Sequence, residues 1–395
     1  MTDLDPGLPS PSAHARRPTV RVRARAVHAL RHAAPALLGY AAVRALGVAV
    51  LALWSAAAGK SAHQLLSARW DSLWYTRVAA HGYGWQVRLP DGTVHTNLAF
   101  FPLLPWLERL GAALTPLSYA DAGLLVSWLA SLAAAWGVFA VADHCHGRRV
   151  GVCAALLWAV LPVGIVQSMA YSESLFTALA AWALYAALTG RWAVAGALAC
   201  LAGLTRPVGM AVAAAVWTAA GITAVRERRL SWRTALGVLP APLGTAGYVL
   251  WVGHRTGRGV VGYLDVQGQW GNGFDGGWAF ARFVGARLTA FPAVFAGIGL
   301  LVGVALVVWL YVRGVRQGQP VPLLVYTGVI VALALGAESY FGSKPRLLLP
   351  AFPLLLPLAV PLARLRPTRW ALVLGCAAAA SAVYGAIWLN GSGPP

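Results

Sequence analysis

The feature that most limits what this chain can fold into is its succession of apolar runs, each close to the ~20 residues that a helix needs to cross a bilayer. About 11 of them are found, at roughly 35–58, 121–141, 150–169, 172–188, 192–205, 207–225, 235–253, 290–312, 320–337, 347–363 and 370–389. In lipid every backbone polar group needs a partner within the protein, so runs of this length predict an all-α, polytopic integral membrane bundle. The composition agrees: 59% of the 395 residues are hydrophobic and 11% charged, whereas about a quarter are charged in a soluble domain. The apolar stretch 98–117 is broken by Pro102, Pro105, Glu108 and Arg109. It reads as re-entrant or interfacial rather than spanning, and counting it as a span would invert everything downstream.

Charge orients the bundle. Residues 1–33 are rich in Pro, Arg and Ala and read as a disordered basic cytosolic arm, leaving 34–395 as one integral domain. With the arm in the cytosol, 18 of the 31 Lys and Arg residues fall on the cytosolic side and 12 outside, with Arg44 inside the first span. That asymmetry follows the positive-inside rule. It accounts for the net charge of +19 without nucleic acid, because the basic residues lie in short clusters between apolar runs. Eight of the 12 acidic residues fall outside, and so do two long loops, 59–120 and 254–289. Long loops on one face usually carry function, so the site is expected there. The four cysteines show no paired spacing, and neither a disulfide nor a metal site is expected.

The external segment Ala68–Tyr75 places Asp71 among indole rings just after the first span. Leu66, Trp70, Leu73, Trp74 and Val78 have the spacing of one helix stripe lying in the interface, with Asp71 at its edge as candidate catalytic carboxylate. A solvated carboxylate in an aromatic belt would look the same. Glu173, in Tyr171-Ser172-Glu173-Ser174, is either a second functional carboxylate or a helix-dipole partner behind a Ser172 cap. Arg206 and Arg346 flank external helix ends with no acidic neighbour adjacent in sequence, and Lys344 lies beside Arg346 in Ser343-Lys344-Pro345-Arg346. They suit an anion such as a phosphate, with interfacial snorkelling as the plainer alternative. Other motifs carry less. Gly271–Gly276 matches G-x-G-x-x-G without the strand and helix a dinucleotide site requires, and His144-Cys145-His146 lies on the opposite face from the carboxylates. Arg44 suits snorkelling or interhelical bonding.

Five motifs in order along residues 40–365 carry a family resemblance. They are Trp70-Asp71-Ser72-Leu73-Trp74 with His81-Gly82-Tyr83, Ala99-Phe100-Phe101-Pro102-Leu103, Tyr171-Ser172-Glu173-Ser174-Leu175-Phe176, Thr205-Arg206, and Arg346-Leu347-Leu348-Leu349-Pro350-Ala351-Phe352-Pro353. Together they resemble the PIG-V mannosyltransferase family, the second mannosyltransferase of GPI-anchor assembly and its bacterial relatives. The resemblance implies a GT-C glycosyltransferase with an essential acidic residue in its first external loop and a polyprenyl-phosphate sugar as donor. The chain departs from the family pattern at Thr205-Arg206-Pro207-Val208-Gly209, where Ser-Asn would be expected after the arginine.

These readings combine into one expectation: inverting transfer of mannose from polyprenyl-phosphate-mannose to an acceptor hydroxyl at the outer face of the plasma membrane. Asp71 would be base or acceptor clamp, Arg206, Arg346 and Lys344 would hold the departing lipid phosphate, Trp70, Trp74 and Tyr75 would stack on sugars, and Glu173 and Glu338 would orient hydroxyls. No cofactor is expected beyond the donor itself. The alternatives are a lipid-linked sugar transporter or flippase, which would show two related halves and ionisable residues near the midplane, and a GT-C enzyme that uses another polyprenyl-phosphate sugar.

Overall fold

The computed structural model describes residues 18–229, 231–338 and 340–393. Residues 1–17 of the expected arm lie outside that range, and from Pro18 the chain is already helical, in α1 (Pro18–Ala57). Short α2 (Ala62–Ser67) and α3 (Asp71–His81) follow, then a hairpin of β1 (Gln86–Arg88) and β2 (Val94–Thr96) in the register Val87 to His95. Next is α4 (Leu103–Leu114), whose 12 residues do not make a span. Trp106, Leu110 and Leu114 face outward from it, as on a helix lying in an interface. Its Glu108 is fully buried and has no hydrogen-bond partner among the described residues, and burial pushes that carboxyl well above its ordinary range.

The bundle proper comprises α5 (Tyr119–His146), α6 (Arg148–Ala159), α7 (Ser172–Leu188), α8 (Trp192–Gly203), α9 (Gly209–Glu227), α10 (Trp232–Val238) and α11 (Leu243–Thr256). A connecting segment of α12 (Gly262–Gln269), β3 (Gly273–Phe274) and α13 (Trp278–Leu288) leads to α14 (Val294–Arg316) and α15 (Val321–Gly336). Then β4 (Ala337–Glu338) pairs with β3, and α16 (Lys344–Leu347), α17 (Leu356–Leu362) and α18 (Pro367–Asn390) close the described chain. Among the described residues five helices are long and apolar enough to cross a membrane, or up to eight if each bent pair is one span, while α7, α8 and α15 are shorter apolar helices. Each of the expected apolar runs is thus a helix or a bent pair, in a multi-pass membrane protein.

Close packing depends on small residues, as is usual between helices in lipid. A Cβ on Gly244 of α11 would sit 1.9 Å from the Cys200 carbonyl oxygen, so α8 and α11 touch backbone to backbone. Two of the bends are held by polar groups. After α6, Pro162 starts a 3-10 turn that leaves the helix axis by 87°. Arg44, buried in the first span, donates to the freed carbonyls of Ala159 and Gly164. Tyr40 donates to Gln167 (2.9 Å), which in turn donates to the Trp158 carbonyl (2.7 Å). Arg44 is therefore an interhelical clamp that satisfies backbone groups water cannot reach. The 79° bend between α16 and α17 follows Pro350, whose carbonyl accepts from Tyr326 (2.9 Å).

These bends bring helix ends together. The starts of α3, α7 and α9 and all of α16 meet at one end of the bundle. The opposite end holds Arg148 donating to the His32 carbonyl, His32 beside Asp143, and Arg149 donating to the Leu365 carbonyl.

Candidate active site

The interfacial stripe expected across Leu66 to Val78 is interrupted. Helix α2 stops at Ser67, and Trp70 turns the chain with a φ of 51°, a conformation that a bulky residue adopts only under tertiary constraint. Two contacts supply that constraint. Arg69 donates to the carbonyls of Leu389 and Gly391 at 2.8 Å each, and Ser72 donates to the Arg69 carbonyl at 2.7 Å. Asp71 thereby becomes the first residue of α3 instead of sitting mid-helix. The buried face of α3 is Ser72, Tyr75, Val78 and Ala79, while Leu73 points outward.

Four charged side chains alternate in a line: Asp71, Arg346, Glu173, Arg206. Arg346 Nη1 lies 2.7 Å from Asp71 Oδ2, and its Nε lies 3.4 Å from Glu173 Oε1. Arg206 pairs with the same Glu173 oxygen and donates to Ser172 Oγ at 3.3 Å. The arginines, which have no acidic neighbour adjacent in sequence, find their carboxylate partners far along the chain and adjacent in space. Ser172 does not cap α7 either; its hydroxyl bonds that of Tyr75 at 2.8 Å. Tyr171 lies against the line, with Arg346 5.1 Å from its ring centroid and its hydroxyl accepting the Asp71 amide at 3.3 Å.

The two carboxylates differ in access. The Glu173 side chain is 1% exposed and the Asp71 side chain 26%, so Asp71 is the one an incoming hydroxyl can reach. At Arg206, in the connection between α8 and α9, burial works against the charge, and the Glu173 carboxylate more than offsets it, holding the guanidinium more firmly protonated than usual. The two cations balance the two anions. A phosphate entering beside Arg346 would compete with Asp71 for the guanidinium and leave that carboxylate free to accept a proton.

Beside the line stands an aromatic wall. The Trp74 ring stacks on Phe100 (5.5 Å between centroids) and lies 4.5 Å from Trp85 and 4.7 Å from Trp270. Trp270 itself stacks on His95 at 4.1 Å and donates to the Thr96 carbonyl at 3.1 Å. Trp85, Trp270 and Tyr171 were not singled out for a role by the sequence reading. The signal for Trp270 was its place in the second long loop. Phe100 and Phe101 of the family motif are anchored from beneath, because the Phe100 carbonyl accepts from Tyr83 (2.9 Å) and Tyr248 (2.7 Å).

Not every expected residue joins the line. Lys344 is buried with its Nζ donating to the carbonyls of Ala334 (2.7 Å) and Ala337 (2.8 Å), so it closes the C-terminal end of α15. Backbone carbonyls thus take two of the three ammonium N–H groups, and Lys344 stands outside the line of charges it was expected to join. Glu338 is exposed on β4, in a separate depression. Trp70 is half-buried beside Arg69, and Tyr75 is buried against Ser172 rather than open for stacking. Among the described residues no three His, Cys, Asp or Glu side chains are placed to hold a metal ion.

The chain superposes on ArnT of Cupriavidus metallidurans bound to undecaprenyl phosphate with a TM-score of 0.53 at 17% identity, covering 85% of this chain and 63% of that one. The fold is that of the GT-C membrane glycosyltransferases. ArnT in its apo state matches with a TM-score of 0.49 at 18% identity, over 76% of this chain and 57% of that one. The Archaeoglobus fulgidus oligosaccharyltransferase complex with zinc and sulfate matches with a TM-score of 0.46 at 15% identity, over 89% and 53%. This chain thus spans less than two thirds of the length of these proteins. A family profile described as dolichyl-phosphate-mannose-protein mannosyltransferase matches residues 95–246, which include Glu173 and Arg206. No curated protein matches the chain in sequence.

Proposed function

We propose that this protein transfers mannose from a polyprenyl-phosphate-mannose donor to an acceptor hydroxyl at the outer face of the plasma membrane, with inversion at the anomeric carbon. The observation that carries the reading is the alternating line Asp71–Arg346–Glu173–Arg206 at a meeting of helix ends, with a tryptophan wall beside it. The profile match to a mannosyltransferase family, the fold, and the five motifs that resemble PIG-V support it.

In this reading the lipid phosphate takes over Arg346, with Arg206 close behind. Asp71, released from its partner, accepts the proton of the acceptor hydroxyl. The hydroxyl oxygen forms its bond to the anomeric carbon as the bond from that carbon to the phosphate oxygen breaks, and the electron pair leaves with the phosphate, whose charge the arginines balance. Glu173, buried between both arginines, holds them in place. A lipid-borne donor also explains why the chain needs no nucleotide-binding loop. The test is to give membranes containing the protein radiolabelled polyprenyl-phosphate-mannose and follow the label. Transfer to a glycolipid, glycan or protein supports the proposal, and label that stays on the donor while unmodified donor crosses the bilayer overturns it in favour of transport.

A further inference from the structure

A second feature on the same side of the molecule is unused by the steps above. Between α13, β4 and the segment leading into α16 lies an open depression of about 500 Å³, lined by Gly271, Ala279, Arg282, Phe283, Glu338 and Phe341. That volume is within the range of small-molecule sites. Phe283 and Phe341 lie 4.3 Å apart between centroids and give it an aromatic floor. Arg282 and Glu338 bring opposite charges, and among the described residues neither side chain has an ion-pair or hydrogen-bond partner. The glycines of the discounted G-x-G-x-x-G stretch find a use here. Gly271 lines the depression with bare backbone at a φ of 68°, and a Cβ on Gly273 would come within 3.2 Å of Glu338 Oε2, so glycine there leaves the carboxylate room.

The chemistry selects a ligand class. A phosphate would face Glu338 and be repelled, and an apolar chain would leave both charged groups unsatisfied. A pyranose suits both features. Its C–H face packs on aromatic rings, and its hydroxyls donate to a carboxylate and accept from a guanidinium. The depression shares no lining residue with the line of charges but is joined to it along the chain. Gly271 follows Trp270, whose indole touches Trp74 on the helix that Asp71 begins. Phe341 lies on the segment that leads into α16 and Arg346.

We infer that this depression is the acceptor subsite and that the acceptor is a carbohydrate, whose reacting hydroxyl reaches Asp71 past Trp270 and Trp74. This rests on the transferase reading above and adds the substrate class to it.

The test separates the two. The full chain, in nanodiscs without donor, is photo-crosslinked with octyl α-mannoside carrying a diazirine, and the labelled peptides are mapped. The inference predicts label within 278–288 or 337–346, displaced by methyl α-mannoside. Glu338→Gln should lower labelling about tenfold, the effect of losing one charge-assisted hydrogen bond. Arg282→Gln, at an exposed position, should do likewise with an unchanged melting temperature. Asp71→Asn should label as the wild type does, since it removes the base and not the subsite. Label elsewhere, no label, indifference to both substitutions, or displacement by a Ser/Thr-rich peptide but not by the mannoside overturns the inference. If Asp71→Asn still transfers mannose while the depression labels as predicted, the catalytic reading fails and the sugar subsite stands.

Discussion

Arg346 Nη1 lies 2.7 Å from Asp71 Oδ2, across 275 residues of sequence, and the same guanidinium reaches Glu173 with its Nε. One cation thus holds two carboxylates that belong to different helices. Its loss is therefore felt in folding as well as in chemistry.

Arg346→Ala should destabilise the detergent-solubilised protein by about 1–3 kcal/mol, because it unpairs Asp71 and leaves the buried Glu173 with Arg206 as its remaining guanidinium. Arg346→Gln and Asp71→Asn made together should cost less than the sum of the two singles, with a coupling of about 1–3 kcal/mol. Thermal unfolding of the four proteins of the cycle measures it. Additive losses would mean that the pair is not formed.

Lys344→Met should leave the donor KM unchanged and lower thermal stability by about 1–3 kcal/mol, since the Ala334 and Ala337 carbonyls lose their donor. The opposite pattern, a raised donor KM with stability intact, would return Lys344 to the phosphate site.

Two glycines on α11 give a matched pair. Gly244→Ala places a methyl 1.9 Å from the Cys200 carbonyl oxygen, whereas a Cβ on Gly247 meets nothing within 4 Å. Gly244→Ala should force α8 and α11 apart and cost about 2 kcal/mol or more, while Gly247→Ala should be neutral or stabilising by up to about 1 kcal/mol. Melting temperatures and yields of the two variants decide the point.

Orientation is checked with cysteines placed in a background lacking the four native ones. Asp91→Cys, in the exposed β1–β2 turn, should react with an impermeant maleimide in intact cells, and Arg366→Cys, just before α18, should react only after permeabilisation. The reverse pattern would put the Asp71 end in the cytosol.

Much of this architecture was legible in the sequence. Apolar runs of membrane length located the helices and bent pairs, because in lipid the length and hydropathy of a segment nearly dictate its structure. Charge counting placed Asp71, Glu173, Arg206 and Arg346 on one face, and the four do meet at one end of the bundle. Their pairing was not legible, since it depends on how the starts of α3, α7 and α9 come together with α16. The turn at Trp70 was hidden for a similar reason. Arg69 imposes it by binding backbone at the far end of the chain, and no local propensity announces that contact. The backbone bonds of Lys344 were not legible either, because the carbonyls it meets depend on where α15 stops. Trp270 became part of the site only through contact with Trp74.

The central claim is that Asp71 accepts the proton of the attacking hydroxyl once the donor phosphate has drawn Arg346 away. Asp71→Asn keeps the size of the side chain and an oxygen for Arg346 to bond, but it cannot take up a proton. Transfer of mannose from radiolabelled polyprenyl-phosphate-mannose by this variant, at matched amounts of folded protein, should fall by about 10²–10⁴-fold. A folded Asp71→Asn protein that transfers mannose at close to the wild-type rate would contradict the account.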